Sequence, residues 1–499
     1  MKKKIHRTKR ASKKKKKIST AEIILSALLI IAAIVLLVRY FNPPTTYYLK
    51  RITSQGQDEL GTYHSLKEAK QDMTNKADAK KQINMAIYDE NERMIAIAYG
   101  IVDFRGSDCG VNVAYERESD GENGYTNGCY GADGLYLDTS DDGQRVRFQQ
   151  SGVIGWVDLD QVKLRNYFQE DEVSSIQYYE VRDHRLYHKI TTDVSKATYA
   201  NRLDQGTIDL ADGAYFSYDG HYFYSSFSQM SDDVRKNTHE HSVHQDPHYD
   251  FYQYVSHRST TSYTSDEINW YIENYLGFKT QSSSLLYQSG TAFLDAQNQY
   301  GTNAIMMLSL AMNESDFGRS AIAVQKNNLF GHAAYDASPG ESSTAYKNVK
   351  ESIIVHARDY LHQGYLYPLD SRYHGAFFGD KSSGMNVSYA SDPYWGEKAA
   401  SYYRTFDEVM GGKDQKKLKI LMSEKEPKIY AQAKDETILY ESKKGQLASF
   451  LILGESKDSQ GRIWYKVRSD YPVRDHKLIK DSETYSLADS YGYVLKSDA

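Results

Sequence analysis

Apolar positions along this chain follow three rhythms, each predicting a different kind of element. From Ala21 to Val38 they are almost unbroken, with Glu22 the acidic residue at the edge, which predicts a membrane-spanning helix near the short end of the usual length. Short apolar runs set between turn residues predict strands. These are Asn84–Tyr88 and Met94–Tyr99 about an Asp-Glu-Asn turn, then Val146–Phe148 and Gly152–Val157, and late in the chain Lys428–Ala431, Thr437–Tyr440, Ser449–Leu453, Ile463–Val467 and Tyr491–Val494. The third rhythm is helical. Leu285, Leu286, Ser289, Phe293, Ala296 and Tyr300 share one stripe, as do Ile353, Ile354, Ala357, Tyr360 and Leu361, and again Ala399, Tyr403, Phe406 and Met410. Residues 303 to 313 carry Ile305, Leu308, Leu310 and Met312 with no proline or glycine, so a further helix is expected there. Leu66 to Met73 is helix-like as well, whereas 171 to 262 looks like strands and tight turns.

A chain of 499 residues is too long for one small core, and the rhythms divide it. The expected order is a basic tail (1–20), an anchor helix (21–39), a small α/β region (45–105), an all-β domain (106–170), a connecting β-rich region (171–264), a mostly helical domain (265–412) and a second all-β domain (415–499). The tail holds eleven Lys and Arg and no acid, which by the positive-inside rule puts the amino terminus in the cytoplasm and everything after Arg39 outside. A cleaved signal peptide needs a small-residue site, and Arg39–Pro44 offers none, so a retained anchor is expected.

Without that tail, 50 basic residues face 66 acidic ones, a formal charge near −16 that argues against nucleic acid as a partner. The 44 tyrosines supply flat apolar faces with polar rims, suited to sugars, although most should simply pack in β-rich domains. The chain contains no phosphate loop, dinucleotide fingerprint or HExxH pattern, so no cofactor is expected.

The chemistry centres on Asn313-Glu314-Ser315-Asp316-Phe317-Gly318. Glu314 falls at or just past the carboxyl end of its helix, beside Met312 and Phe317. The negative helix end and desolvation would both favour the protonated carboxyl, which is what a general acid for a glycosidic oxygen needs. Alone, a glutamate after a helix is most often merely solvated. What changes the picture is the order of motifs downstream: Asn327-Asn328-Leu329-Phe330-Gly331, then Ser391-Asp392-Pro393-Tyr394-Trp395-Gly396-Glu397-Lys398 with Ala399 and Ala400.

Together these motifs resemble the glucosaminidase domain of glycoside hydrolase family 73, bacterial peptidoglycan endo-β-N-acetylglucosaminidases of lysozyme-like α+β fold, over about residues 265 to 412. The resemblance implies Glu314 as catalytic acid and Tyr394 as a tyrosine needed in the cleft. It also implies a second acid on a mobile lobe, for which Glu341 is preferred over Asp336. Asn327, Phe330, Gly331, Asp392 and Trp395 become candidate substrate contacts, although Asp392 could equally set a turn before Pro393. Pro339, Gly340 and several serines between Ala333 and Val349 are expected to form a flexible hairpin over the cleft. The cation developing on the sugar could be met by Glu341 activating water or by the substrate's own acetamido group; both remain open.

Gly155-Trp156-Val157, and later Trp464-Tyr465-Lys466-Val467 with Gly492-Tyr493-Val494, resemble bacterial Src-homology-3-like barrels, which serve as wall binders or as spacers. The whole then looks like a membrane-anchored cell-wall glycosidase acting on peptidoglycan outside a Gram-positive cell. A muramidase or lytic transglycosylase, or a non-catalytic wall-binding scaffold, are the alternatives.

Cys109 and Cys129 could bridge, closing a loop of about twenty residues worth about 3 kcal/mol, or remain two small hydrophobes. His239, His241, His244 and His248 with Asp246 and Asp250 fit no tetrahedral zinc spacing, so a solvated loop is expected and no metal is assigned. His332 and His356 are expected to be structural.

Overall fold

The computed structural model describes residues 46–53, 56–80, 83–167, 173–332, 343–434, 436–480 and 482–498. The expected anchor at 21–39, residues 333–342 of the hairpin expected over 333–349, and both candidate second acids, Asp336 and Glu341, lie outside them. Among the described residues no helix is long and apolar enough to cross a membrane.

The amino-terminal region is a four-stranded antiparallel sheet in the order Gly56–Tyr63, Tyr47–Thr53, Met85–Asp89, Met94–Ile97, backed by the helix Leu66–Lys80. Every residue of Met85–Asp89 is buried, because this strand is sandwiched between the helix and the next sheet. That next sheet has seven antiparallel strands in the order Lys163–Asn166, Gly100–Asp103, Asp133–Thr139, Arg145–Gln150, Val153–Asp158, Val113–Arg117, Asn123–Thr126. Its second strand, Gly100–Asp103, comes from the stretch that the sequence rhythm assigned to the region before it. The two sheets share one hydrophobic core rather than two. Cys109 and Cys129 are joined in a disulfide with Cα atoms 5.6 Å apart, closing the loop at the edge of the seven-stranded sheet.

The connecting region is a third sheet in the order Asn201–Thr207, Arg185–Ile190, Tyr178–Arg182, Gly213–Tyr215, but it is not all strand and turn. Ser226 caps a helix over Phe227–Lys236, and Asn237 ends it in the left-handed region at φ 54°. Phe227, Met230 and Val234 on one face of this helix join the core of the first two sheets. The i, i+3, i+7 pattern was present in the sequence, masked by the aromatic run before it.

The helical domain is organised about Ala304–Ser315. Every residue from Ala304 to Met312 is buried, so this helix is apolar all round and forms the axis of the core. Asn303 caps it, its side-chain oxygen accepting from Ile305 N at 2.9 Å and Met306 N at 3.1 Å. The helix Gly290–Tyr300 begins later than its apolar stripe suggested, leaving Leu285 and Leu286 in the preceding turn. Val349–Val355 runs on into a wider, π-type turn over His356–Tyr365, and Trp395–Val409 crosses the central helix. A six-stranded sheet closes the chain in the order Lys419–Ser423, Ala448–Lys457, Ile463–Arg468, Tyr491–Leu495, Lys428–Tyr430, Ile438–Glu441.

Candidate active site

Glu314 sits in the last turn of the central helix, which ends because Asp316 and Phe317 both turn left-handed, at φ 49° and 55°. This places the carboxylate at the point where the helix leaves the core: the residue is partly exposed while its carboxyl is surrounded by protein. Trp395, the first residue of the crossing helix, donates its indole N–H to Glu314 Oε1 at 2.6 Å, and Asn313 Nδ2 lies 3.3 Å from the same oxygen. Burial raises the carboxyl pKa above the usual glutamate range; the two donors pull it back down, and the negative charge of Asp392 raises it further. Both donors address Oε1. Oε2 faces Gly331, where a Cβ would stand 3.9 Å away. Gly331 has φ +63°, so the side chain that would crowd that oxygen is disfavoured by the backbone as well. Among the described residues no donor is bonded to Oε2, which leaves that oxygen to carry the proton.

Aromatic rings wall the carboxyl. Tyr389 stacks on Trp395 with centroids 4.2 Å apart, and its hydroxyl pKa is raised by burial and by the charge of Glu314. On the other side Phe330 stacks on His356 at 3.7 Å and His332 on Tyr360 at 3.8 Å. His332 accepts or donates between Tyr346 Oη (2.6 Å) and His356 Nδ1 (3.0 Å). Burial holds the His332 pKa down at about 3 and that of His356 well below its usual value, so both are neutral packing groups. Asn327 ends the helix Ala321–Lys326 at φ 52°, and its amide donates to Tyr346 O at 2.9 Å. Asn328 spans the turn, receiving from His332 N at 3.1 Å and donating to Thr344 O at 3.0 Å. The Asn-Asn-Leu-Phe-Gly motif thus builds the wall holding Gly331 in place, with Phe330 only 3 % exposed inside it.

The structure brings Glu314, Gly331 and Trp395 together and sends Tyr394 elsewhere. The Tyr394 ring is buried, stands edge-on to His188 at 4.8 Å and packs over Gly131, so it faces the β domains and not Glu314. Tyr394 is the non-helical cap before Trp395, and the two adjacent rings meet different neighbours, His188 and Glu314. Asp392 is spent on the turn itself: it accepts from Tyr394 N at 2.9 Å and pairs with Lys398 at 2.5 Å. Tyr389 is the site residue the sequence did not single out. Its only signal was an aromatic six positions ahead of Trp395 in an otherwise small, polar stretch.

The crossing helix is also held from behind. Glu397 accepts from Tyr179 Oη at 3.1 Å and meets His188 Nδ1 at 2.6 Å, tying it to the third sheet. The histidine-rich segment is disposed along that sheet's flank, with His239 stacked on Tyr222 at 3.5 Å and His241 paired with Asp233 at 2.8 Å. Among the described residues no group of three or more His, Cys, Asp or Glu is arranged to hold a metal ion.

This arrangement, a desolvated carboxyl with one oxygen clamped by an indole N–H and the other beside Gly331, suits proton donation to a glycosidic oxygen. Residues 290–408 match the glucosaminidase family model, mannosyl-glycoprotein endo-beta-N-acetylglucosaminidase. The chain thus carries a glycoside hydrolase domain, and Glu314, Gly331 and Trp395 all lie inside the matched segment. Two Streptococcus pneumoniae proteins, provisionally named endo-beta-N-acetylglucosaminidases, are each 29% identical over 293 residues, or 55% of this chain. The match takes in 39% and 37% of their lengths, so the chain spans about two fifths of these curated relatives. Among solved structures, a catalytic mutant of Staphylococcus aureus Autolysin E in complex with the disaccharide NAG-NAM is 22% identical, covering 32% of this chain and 73% of that one at a TM-score of 0.26. The Major Bifunctional Autolysin is similar at 22% identity, 32% and 68% coverage and a TM-score of 0.24. At TM-scores this low the two likenesses carry no weight for the fold.

Proposed function

We propose that this protein hydrolyses peptidoglycan glycan strands at the β-1,4 bond on the reducing side of N-acetylglucosamine, with Glu314 as general acid. The observation that carries the reading is the Glu314 carboxyl, desolvated and bonded through Oε1 to Trp395 with Oε2 beside Gly331. The Oε2 proton passes to the bridging oxygen as the C1–O bond breaks, and the leaving chain departs as an alcohol. The positive charge left on the sugar is met either by the substrate's acetamido oxygen closing on C1 or by water activated by a second carboxylate, for which Glu341 is the candidate. In either case water ends bonded to C1: on the acetamido route its proton passes to Glu314, and on the second-carboxylate route it passes to that carboxylate, which releases it to solvent while Glu314 regains a proton from solvent.

The reading extends to the whole chain. The apolar run at 21–38 and its basic tail support a retained single-pass anchor with the enzyme on the wall side of the membrane. The strand content of 100–166 and 419–495 supports Src-homology-3-like modules.

The test is digestion of purified peptidoglycan, with mass analysis of the new reducing ends. Glucosamine-type ends are expected, and Glu314→Gln should lower the rate by about 10³-fold or more, within the range for loss of a general acid. Muramic-type or 1,6-anhydro ends would overturn the bond assignment, and a Glu314→Gln variant of full activity would overturn the role of Glu314.

A further inference from the structure

Lys381 has an ammonium with no solvent exposure, and its hydrogen bonds go to main-chain carbonyls. Nζ donates to Asn386 O at 3.0 Å and to Ala390 O at 2.5 Å, so it closes the short helix Asn386–Tyr389 from below. It also lies 4.8 Å from the ring centre of Tyr125, which belongs to the seven-stranded sheet. Asp392 and Asp380 are the acidic groups whose charge reaches it, with Arg117 opposing them, and burial holds its pKa down at about 7. A desolvated ammonium is a costly means of tying two carbonyls, which asks what the tie secures.

The tied segment delivers an aromatic to the site. Tyr389 stacks on Trp395, whose indole N–H addresses Glu314. The flanks of the same segment are gripped by the seven-stranded sheet: Tyr125 Oη donates to Ser388 O at 2.9 Å, Asn127 N to Ser391 O at 2.9 Å and Ser151 Oγ to Pro393 O at 2.6 Å, while Lys381 N donates to Ser151 O at 2.9 Å. Asn127 lies within the loop closed by the disulfide, and its side chain bonds Cys109 O at 2.8 Å. Within the turn Tyr125 holds the carbonyl of Ser388 and Lys381 those of Asn386 and Ala390, so without Lys381 the two ends of the turn lose their common tie.

We propose that Lys381 is a positioning residue: held beneath Tyr125, its ammonium fixes the Asn386–Ala390 turn so that Tyr389 braces the Trp395 indole and the indole N–H stays aimed at Glu314 Oε1. The catalytic consequence rests on the function proposed above; the relay from Lys381 to Trp395 does not. The chain reaches Glu314 through three contacts, each seen in the structure: ammonium to carbonyl, ring to ring, and indole N–H to carboxylate.

Lys381→Met, Lys381→Arg and Tyr389→Leu are compared with the full chain. The readouts are kcat and KM on peptidoglycan, the alkaline limb of kcat, and the indole N–H resonance of Trp395, assigned with Trp395→Phe. Lys381→Met is expected to lower kcat by about 10- to 100-fold with KM within about threefold, since the loss falls on the acid and not on the sugar contacts. Its alkaline limb should move to higher pH, because the indole bond that holds the Glu314 pKa down is weakened, and the Trp395 resonance should shift upfield. Lys381→Arg should recover part of the rate, and Tyr389→Leu should reproduce the resonance shift with Lys381 intact. A Lys381→Met protein with wild-type kcat, limb and resonance overturns the proposal, as does a Tyr389→Leu protein whose Trp395 signal is unmoved. If the wild type cleaves no glycan the glycosidase reading fails, and the resonance still decides the relay.

Discussion

The two β domains that flank the helical domain look alike in sequence and are joined to it in different ways. The seven-stranded sheet meets the front of the helical domain at the segment that carries Tyr389 and Trp395, through hydrogen bonds from Tyr125, Asn127 and Ser151. The six-stranded sheet meets the back. There the buried Arg258 donates to Tyr300 O and Leu366 O at 3.0 Å each and lies 4.4 Å from the ring centre of Tyr485. Tyr373 Oη donates to Asp470 at 2.7 Å, and His362 Nε2 meets Ser482 O at 2.8 Å. The front contact is made to loops and governs where site residues point; the back contact is made to the core and governs only whether it stays together. Neither domain hangs from a linker, so a tether that merely raises local substrate concentration does not describe either one.

The sharpest way to break this contrast is Arg258→Met. It leaves buried carbonyls without donors and removes the cation over Tyr485, so urea unfolding should show a loss of about 3–5 kcal/mol, as for other broken buried charge networks. Assayed well below the unfolding midpoint, kcat should be unchanged; a tenfold fall would show that the back contact also reaches the site.

The corresponding cut at the front is Cys109→Ser with Cys129→Ser. Opening a loop of about twenty residues should cost about 3 kcal/mol, again by urea unfolding, and here kcat should fall as well because Asn127 loses its frame. Equal activity in reduced and oxidised protein would detach the disulfide from the site.

Each domain also hides one aspartate under a tyrosine, and pH separates them. Burial raises the pKa of Asp133 to about 7, with Tyr218 Oη at 2.7 Å, and that of Asp470 to about 6. A raised carboxyl pKa means that the folded protein keeps a proton the unfolded chain releases. The stability this gives is whole below about pH 4 and is lost as pH rises through about 7 for Asp133 and about 6 for Asp470. Asp133→Asn and Asp470→Asn should therefore match wild type near pH 4 and exceed it at pH 7.5 by up to about 4 and about 3 kcal/mol respectively, with the Asp470 curve flattening first. Thermal unfolding across that range checks the order.

The share of this that was legible in the sequence follows the range of the interactions. The central helix and most strands of the two β domains announced themselves, because burial on one face imposes its period locally. Glu314 was placed at or just past the helix end for the same reason, and the helix runs one residue beyond it, to Ser315. The helix Phe227–Lys236 was missed although its period was there, since tyrosines and phenylalanines on both sides favoured strand. Motif order pointed to Glu314, Gly331 and Trp395, yet it could not say which of two adjacent aromatics meets Glu314; the Trp395 indole bonds its carboxyl and the Tyr394 ring turns toward His188. Tyr389 and Lys381 were invisible because their local contacts, to Trp395 and to Asn386 and Ala390, follow no helix or strand period, and the frame that holds them comes from Tyr125, more than two hundred residues away. No local period encodes such a pairing.

The smallest change sharpens the comparison most finely. Tyr125→Phe removes one hydroxyl from the front contact and keeps the ring over Lys381; Tyr485→Phe removes one hydroxyl that donates within the six-stranded domain, to Ser469 O with Ser490 O at 3.4 Å, and keeps the ring under Arg258 at the back. Each deletes a single hydroxyl donor to the main chain and should cost about 1 kcal/mol of stability. If the front contact steers the site, Tyr125→Phe should also lower kcat by about two- to fivefold, because Ser388 is the residue before Tyr389 and its carbonyl would be free to turn. Tyr485→Phe should leave kcat within error. Matched unfolding and turnover measurements on the pair would thus show equal losses of stability and unequal losses of rate, and equal losses of both would mean that the two domains serve the helical core in the same way.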